Sequence, residues 1–128
     1  MNKLQGGCHC QNVRFEIEVQ QQPKLDSCNC SICLKTGFLH LIVPKSKFRL
    51  LTDEQELSCY QFNSKIAKHY FCKSCGIKSF YVPRSNPDGV SINARCLDTS
   101  DWQEWQIDAF DGQNWEANAS RLAHLSKE

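Results

Sequence analysis

Seven cysteines packed into three short clusters restrict what this 128-residue chain can fold into more than any other feature. The clusters are Cys8-His9-Cys10, Cys28-Asn29-Cys30-Ser31-Ile32-Cys33 and Cys72-Lys73-Ser74-Cys75-Gly76; Cys59 and Cys96 bring the total to nine. Disulfides need an oxidising compartment, and the opening residues Met1-Asn2-Lys3-Leu4-Gln5-Gly6-Gly7 lack the apolar run of a secretory leader. An odd number of thiols also does not suit complete internal pairing. Metal binding in a reducing, cytoplasmic setting, nucleus included, is the expected use of the clusters.

Zinc takes thiolates at about 2.3 Å in a tetrahedron, and its structural sites join two-cysteine elements that are distant in sequence. Cys72 and Cys75 have the C-x-x-C spacing of such an element, and Gly76 can take the positive φ that a tight turn after the second ligand requires. Cys8 and Cys10, two apart in an extended segment, point to one face while His9 points away. Together the two elements make a closed four-cysteine site. Cys28, Cys30 and Cys33 then supply three ligands from one loop, leaving the fourth position open as in a reactive site. Three thiolates on a divalent ion carry about one negative charge, a poor setting for making hydroxide and a good one for binding and ionising an incoming thiol. Two other readings of the same residues stay open. Cys72 and Cys75 could form a redox pair, although no βαβ pattern surrounds them. All seven cysteines could instead serve two structural zincs, with another cysteine or a histidine, His40 or His69, as the eighth ligand. Cys59 and Cys96, set among strand residues, are expected to be small buried hydrophobes.

The rest of the chain reads as one domain spanning residues 1–128, mainly β. Residues 13–19 alternate apolar and polar without a break, the signature of a strand with one face on a core. Short extended segments are expected at 40–43, 48–51, 58–62, 68–71, 79–82 and 90–96, each near a turn signal, which predicts antiparallel sheets. Trp115, Ala119, Leu122 and Ala123 fall at helical spacing and predict a C-terminal helix over 114–125, with Asp111 as a nearby cap and Trp102, Trp105 and Phe110 packing its approach. The 15 Lys+Arg and 14 Asp+Glu leave a formal charge of +1. Seven thiolates and two zincs would move that to about −2, so no nucleic-acid partner is expected. No stretch approaches the roughly 18 apolar residues that a membrane span needs, so no membrane association is expected either.

Several motifs, taken in order, resemble the glutathione-dependent formaldehyde-activating enzyme family, with the branch that includes centromere protein V nearest. They are Gly6-Gly7-Cys8-His9-Cys10 leading into Val13-Arg14-Phe15, the Cys28 to Cys33 cluster, Phe71-Cys72-Lys73-Ser74-Cys75-Gly76, Pro83-Arg84-Ser85-Asn86-Pro87 and Arg95-Cys96-Leu97-Asp98. The resemblance implies a β-tent of short antiparallel sheets stapled by zinc. It implies two zincs per chain, a structural one on Cys8, Cys10, Cys72 and Cys75 and a catalytic one on Cys28, Cys30 and Cys33. It also implies addition of glutathione to formaldehyde to give S-hydroxymethylglutathione, a carbon-sulfur lyase reaction in reverse. The alternative it carries is a non-enzymatic, zinc-stabilised interaction module like centromere protein V. For the enzyme, a small thiol and a small aldehyde are the partners. Arg84 and Arg95 are the expected carboxylate forks for glutathione, with Lys35 a weaker candidate. Tyr81, His40 or a water is the expected proton donor to the adduct oxygen.

Overall fold

A computed structural model of the chain describes residues 2–62 and 65–127. Its strands are β1 (Asn2–Gly7), β2 (Arg14–Val19), β3 (Leu25–Cys28), β4 (Leu39–Pro44), β5 (Phe48–Leu50), β6 (Leu57–Tyr60), β7 (Lys68–Cys72), β8 (Phe80–Val82), β9 (Gly89–Asn93) and β10 (Ile107–Phe110). Two short α-helices, α1 (Ser31–Thr36) and α2 (Trp115–Asn118), join them. One sheet has three strands in the order β1-β2-β5; the other has seven, in the order β10-β3-β4-β9-β8-β7-β6. The fold is mainly β, as the short alternating segments predict.

The pairings are antiparallel with one exception: β10 runs parallel to β3, so the wholly antiparallel expectation is corrected at that edge. The Cys28 to Cys33 segment is also not a loop. It ends β3, turns at Asn29 and Cys30, and enters α1, whose N-cap is Cys30. The C-terminal helix is shorter than predicted. α2 makes a single turn, after which residues 119–121 and 123–126 continue as separate 3-10 turns. Asp111 does not cap backbone there; its carboxylate accepts from the Asn29 and Asn114 side-chain amides. Cys59 is exposed rather than buried, because β6 is the edge strand of the large sheet, and Cys96 is half-buried.

The small sheet packs its buried face, Phe15, Ile17 and Val19 of β2, against one face of the large sheet, supplied by Leu25, Leu39, Leu41, Val43, Phe80, Val90 and Ile92. Phe15, Phe48 and Phe80 pack ring to ring between the sheets at 4.8–6.3 Å. Successive strand residues point to opposite faces, so the neighbours of those core residues emerge on the far side. There Asp26, Cys28, His40, Ile42, His69 and Tyr81 line a cavity. β4 is buried along most of its length for this reason, with one face on the core and the other on the cavity.

The C-terminal segment closes that cavity from outside. Asn86, fully buried in the loop between β8 and β9, donates from Nδ2 to the carbonyls of Leu122 and Ala123 (2.8 and 3.3 Å) and to Ser126 Oγ (2.9 Å). Asp88 accepts from Ser126 Oγ and pairs with Lys127 Nζ at 2.7 Å. Residues 112–126 are thereby strapped across the large sheet, with Trp115 and Leu122 facing inward.

Candidate functional site

Cys8, Cys10, Cys72 and Cys75 come together with all four sulfurs within 4.8 Å of one another. Tetrahedral zinc with 2.3 Å bonds places its sulfurs about 3.8 Å apart. The Cys8–Cys10 and Cys10–Cys72 separations are 3.7 and 3.6 Å, so the donor set fits the ion. Backbone amides of Val13 and Ser74 donate to the sulfurs of Cys8 and Cys72, which stabilises thiolates there. Gly76 has φ +76, the left-handed turn expected from its place after the second ligand. The cluster ties β1 to the end of β7 across more than sixty residues of chain.

Cys28, Cys30 and Cys33 form the second cluster. Cys28 and Cys33 lie with His40 in a group whose donor atoms are all within 4.8 Å, a group that takes in the histidine and leaves out Cys30. Cys30 caps α1 next to them, and its thiol is held far below its usual range by interactions with Cys28 and Cys33 and by the backbone amides of Cys33 and Ile32. The same neighbours push the Cys33 thiol up, so the three sulfurs share their protons unequally. A soft, crowded set of three thiols with one ready to ionise fits zinc.

His40 joins the cluster to two hydroxyls. Nε2 is 3.2 Å from Cys33 Sγ, while Nδ1 lies 3.0 Å from Ser91 Oγ and 3.2 Å from the Tyr81 hydroxyl. Burial drives the Tyr81 pKa well above its usual value and that of His40 down to about 3, so both are neutral. A neutral imidazole carries one ring hydrogen, and its nitrogens face different partners: Nδ1 faces the Ser91 and Tyr81 hydroxyls, each able to donate or accept, and Nε2 faces the Cys33 sulfur. His40 therefore either donates to the Cys33 sulfur or offers a donor atom beside Cys28 and Cys33.

The cavity beside this cluster has a volume of about 410 Å³, within the usual range for a small-molecule site. Cys28, Cys30 and Cys33 line it at one end, and Arg84 lies at its wall with the guanidinium stacked 3.4 Å from the Trp115 ring and paired with Glu116. Asp26 adds a carboxyl whose pKa burial raises. Gly112 lies so close to the cluster that a Cβ there would meet Cys28 Sγ at 2.4 Å and Cys30 Cβ at 2.9 Å. Phe62, His69 and Tyr81 add an aromatic stretch of wall.

Arg95 stands elsewhere. It lines a separate recess with Cys8, His9 and Arg14, donates from Nε to the Gly37 carbonyl, and lies over Trp102 at 5.3 Å. Lys35 is exposed on α1 and does not line the cavity. His69 is not grouped with the cysteines; its Nδ1 is 2.7 Å from the buried ammonium of Lys78. Lys78 and Gly112 have no motif that marks them as site residues, and Asn86 falls inside the Pro83–Pro87 motif without being singled out by it. Only the burial of a lysine and an asparagine, and the absence of a Cβ at Gly112, reveal their parts. Trp115 was legible only as a helix residue.

No helix among the described residues is long and apolar enough to cross a membrane. The fold is similar to the crystal structure of a Rhodobacter sphaeroides protein, with a TM-score of 0.73 at 29% identity over 82% of this chain and all of that one. A Talaromyces marneffei protein described as "Putative glutathione-dependent formaldehyde-activating enzyme" is 28% identical over 111 residues. That match takes in 80% of this chain but only 59% of the relative's length. Residues 3–114 match the family described as glutathione-dependent formaldehyde-activating enzyme, a span that holds all seven clustered cysteines. With both cysteine clusters inside the matched span, which covers most of its length, the chain belongs to the glutathione-dependent formaldehyde-activating enzyme family.

Proposed function

We propose that residues 1–128 form a single two-zinc domain that adds a small thiol, glutathione, to formaldehyde or a related small aldehyde, and cleaves the same carbon-sulfur bond in reverse. The observation that carries this reading is the unequal setting of the two clusters. Four cysteines gather in one, whereas the three of the other open onto a cavity of about 410 Å³. Cys8, Cys10, Cys72 and Cys75 would hold a structural zinc, and Cys28, Cys30 and Cys33 a catalytic one. A zinc on three thiolates supplies deprotonation of an incoming thiol.

The side chains around the cavity bind and orient. Glutathione carries two carboxylates and one ammonium. Arg84 offers a planar fork that Trp115 holds in place, and Asp26 offers an opposite charge for the ammonium. His40 Nε2 lies against the Cys33 sulfur, and its Nδ1 faces Tyr81 and Ser91. The strap of residues 112–126 limits water entry on one side. Arg95 lies too far round the molecule to share this cavity, so it enters the proposal only as a support for α1 through the Gly37 carbonyl.

The test uses zinc-loaded protein. Glutathione binding is measured by calorimetry, and exchange between formaldehyde and its glutathione adduct by NMR, for the wild type and Cys30→Ser. Acceleration above the uncatalysed rate in the wild type, lost in Cys30→Ser, is the expected result. Equal rates in the two proteins would refute catalysis by this cluster.

A further inference from the structure

His69 is held more rigidly than a wall residue needs to be. Its ring lies between Phe62 (centroids 5.4 Å apart, planes at 22°) and Tyr81 (4.9 Å, 11°), stacked on both faces. Its Nδ1 is 2.7 Å from Lys78 Nζ. Lys78 is itself buried and lies over the rings of Tyr81 and Phe38 at 4.1 and 4.9 Å. It makes no salt bridge among the described residues. A buried lysine hydrogen-bonded to a histidine and surrounded by aromatic rings is an expensive arrangement without a use.

An ammonium has three hydrogens and no lone pair. Lys78 therefore donates, Nδ1 of His69 accepts, and the neutral imidazole carries its hydrogen on Nε2. Nε2 has no hydrogen-bond partner among the described residues, and His69 lines the same cavity as Cys28, Cys30 and Cys33.

Taking the thiol-aldehyde reading as its basis, we infer that His69 is the group that donates a proton to the aldehyde oxygen, and that Lys78 is the positioning residue that fixes its tautomer and replenishes the proton. As the sulfur electron pair forms the new C–S bond, the carbonyl π pair moves onto oxygen. That oxygen takes the Nε2 hydrogen while Nδ1 takes one from Lys78. Lys78 is left a neutral amine and His69 a neutral imidazole bearing its hydrogen on Nδ1. The proton released when the next thiol ionises returns to Nε2, and the Nδ1 hydrogen returns to Lys78. Over one turnover, thiol and aldehyde give the hydroxymethyl thioether, and no other reactant is consumed.

The electrostatics agree with this geometry. Burial pulls the Lys78 pKa down to about 8, against an opposing pull from the nearby cysteines, so its ammonium gives up a proton far more readily than a surface lysine. Burial, reinforced by the charge of Lys78, lowers His69 to about 4 and keeps its ring neutral. The proton donor that the sequence sought in Tyr81 or His40 is thus found one strand away. Those two side chains are already committed to each other and to Cys33.

Two measurements test the proposal. On zinc-loaded wild type, nitrogen-15 NMR of the histidine rings reads the His69 tautomer without reference to activity. Nε2–H is expected, with mixed tautomers in Lys78→Met. A wild-type ring protonated mainly on Nδ1 would overturn the proposal. NMR exchange between formaldehyde and its glutathione adduct then compares the wild type with His69→Gln and Lys78→Met, after zinc content and circular dichroism establish that each is folded. His69→Gln is expected to lose roughly 10²-fold of the enzyme-dependent rate at saturating glutathione, the lower end for acid catalysis. Wild-type acceleration that survives intact in His69→Gln would overturn the role of His69 alone. A wild type that neither binds glutathione nor exceeds the uncatalysed rate would overturn the functional reading, and this proposal with it.

Discussion

Replacing Asn86 by aspartate changes almost no volume and removes both side-chain hydrogens from a fully buried amide. Nδ2 supplies the Leu122 and Ala123 carbonyls and Ser126 Oγ, and Ser126 keeps a second partner in Asp88. Two hydrogens serve three acceptors, so about two full hydrogen bonds are lost. Each buried group left without a partner costs about 1–3 kcal/mol, which gives a destabilisation of about 2–6 kcal/mol. At about 4 °C per kcal/mol for a chain of this size, the midpoint should fall by roughly 8–24 °C. Asn86→Ala should fall in the same range. Thermal unfolding of the zinc-loaded proteins measures the shift, and amide hydrogen exchange locates it. Protection should be lost first at residues 122–126, and glutathione binding should weaken because Trp115 and Leu122 belong to the cavity wall. Unchanged midpoints in both variants, or loss of protection spread evenly over the sheets, would refute the view that Asn86 holds the strap.

Gly112→Ala should force the strap off the second cluster, since its Cβ would meet Cys28 Sγ at 2.4 Å. A loss of about 1–3 kcal/mol is expected in urea unfolding, together with weaker zinc retention against a chelator. Cys75→Ser breaks the four-cysteine set and should lower zinc content by one per chain and lower the unfolding midpoint sharply; metal analysis with thermal unfolding checks both. Arg84→Ala should weaken glutathione binding in calorimetry while leaving zinc content intact, because the guanidinium lies at the cavity wall and not at a cysteine. His69, lowered to about 4 from 6.5, takes up its proton more readily when unfolded. The stability it lends is therefore complete above pH 6.5 and drains away as pH falls toward 4, by on the order of 3 kcal/mol. Urea midpoints at pH 7 and 4.5 should show a smaller acid loss in His69→Gln than in the wild type.

The sequence disclosed what repeats over short distances. The alternation in residues 13–19 marks β2, and the cysteine spacings single out Cys8, Cys10, Cys72 and Cys75, which gather, and Cys28 and Cys33, which gather with His40 rather than with Cys30. Three strands escaped because their patterns are short or atypical. β1 ends in two glycines, and β3 and β10 are four residues each, with β10 finding its partner across about eighty residues of chain. α1 was hidden by its own chemistry: read as ligands, its cysteines suggested a loop, yet Cys30 caps the helix with its sulfur. The helix predicted over 114–125 has the right spacing but the wrong polar residues. Asn118 turns its side-chain amide back to the Asp111 and Asn114 carbonyls, and Asn86 captures two carbonyls farther on, so local and tertiary hydrogen bonds outcompete a continuous helix. Arg84 lies at the cavity wall, whereas Arg95 shows that proximity in sequence to a cysteine says little about proximity to the cavity.

The parallel pairing of β3 with β10, and the wall formed by Gly112 and Trp115, have a consequence for biosynthesis. Read in the order of translation, the thiols of Cys28, Cys30 and Cys33 emerge early, and the segment that encloses them emerges about eighty residues later. At about 5–20 residues per second, that interval lasts roughly 4–16 s. Throughout it the nascent chain carries a cluster of crowded thiols with no cavity around them. They are then open to the same small electrophiles that the finished site is proposed to handle, and early metal loading would shield them.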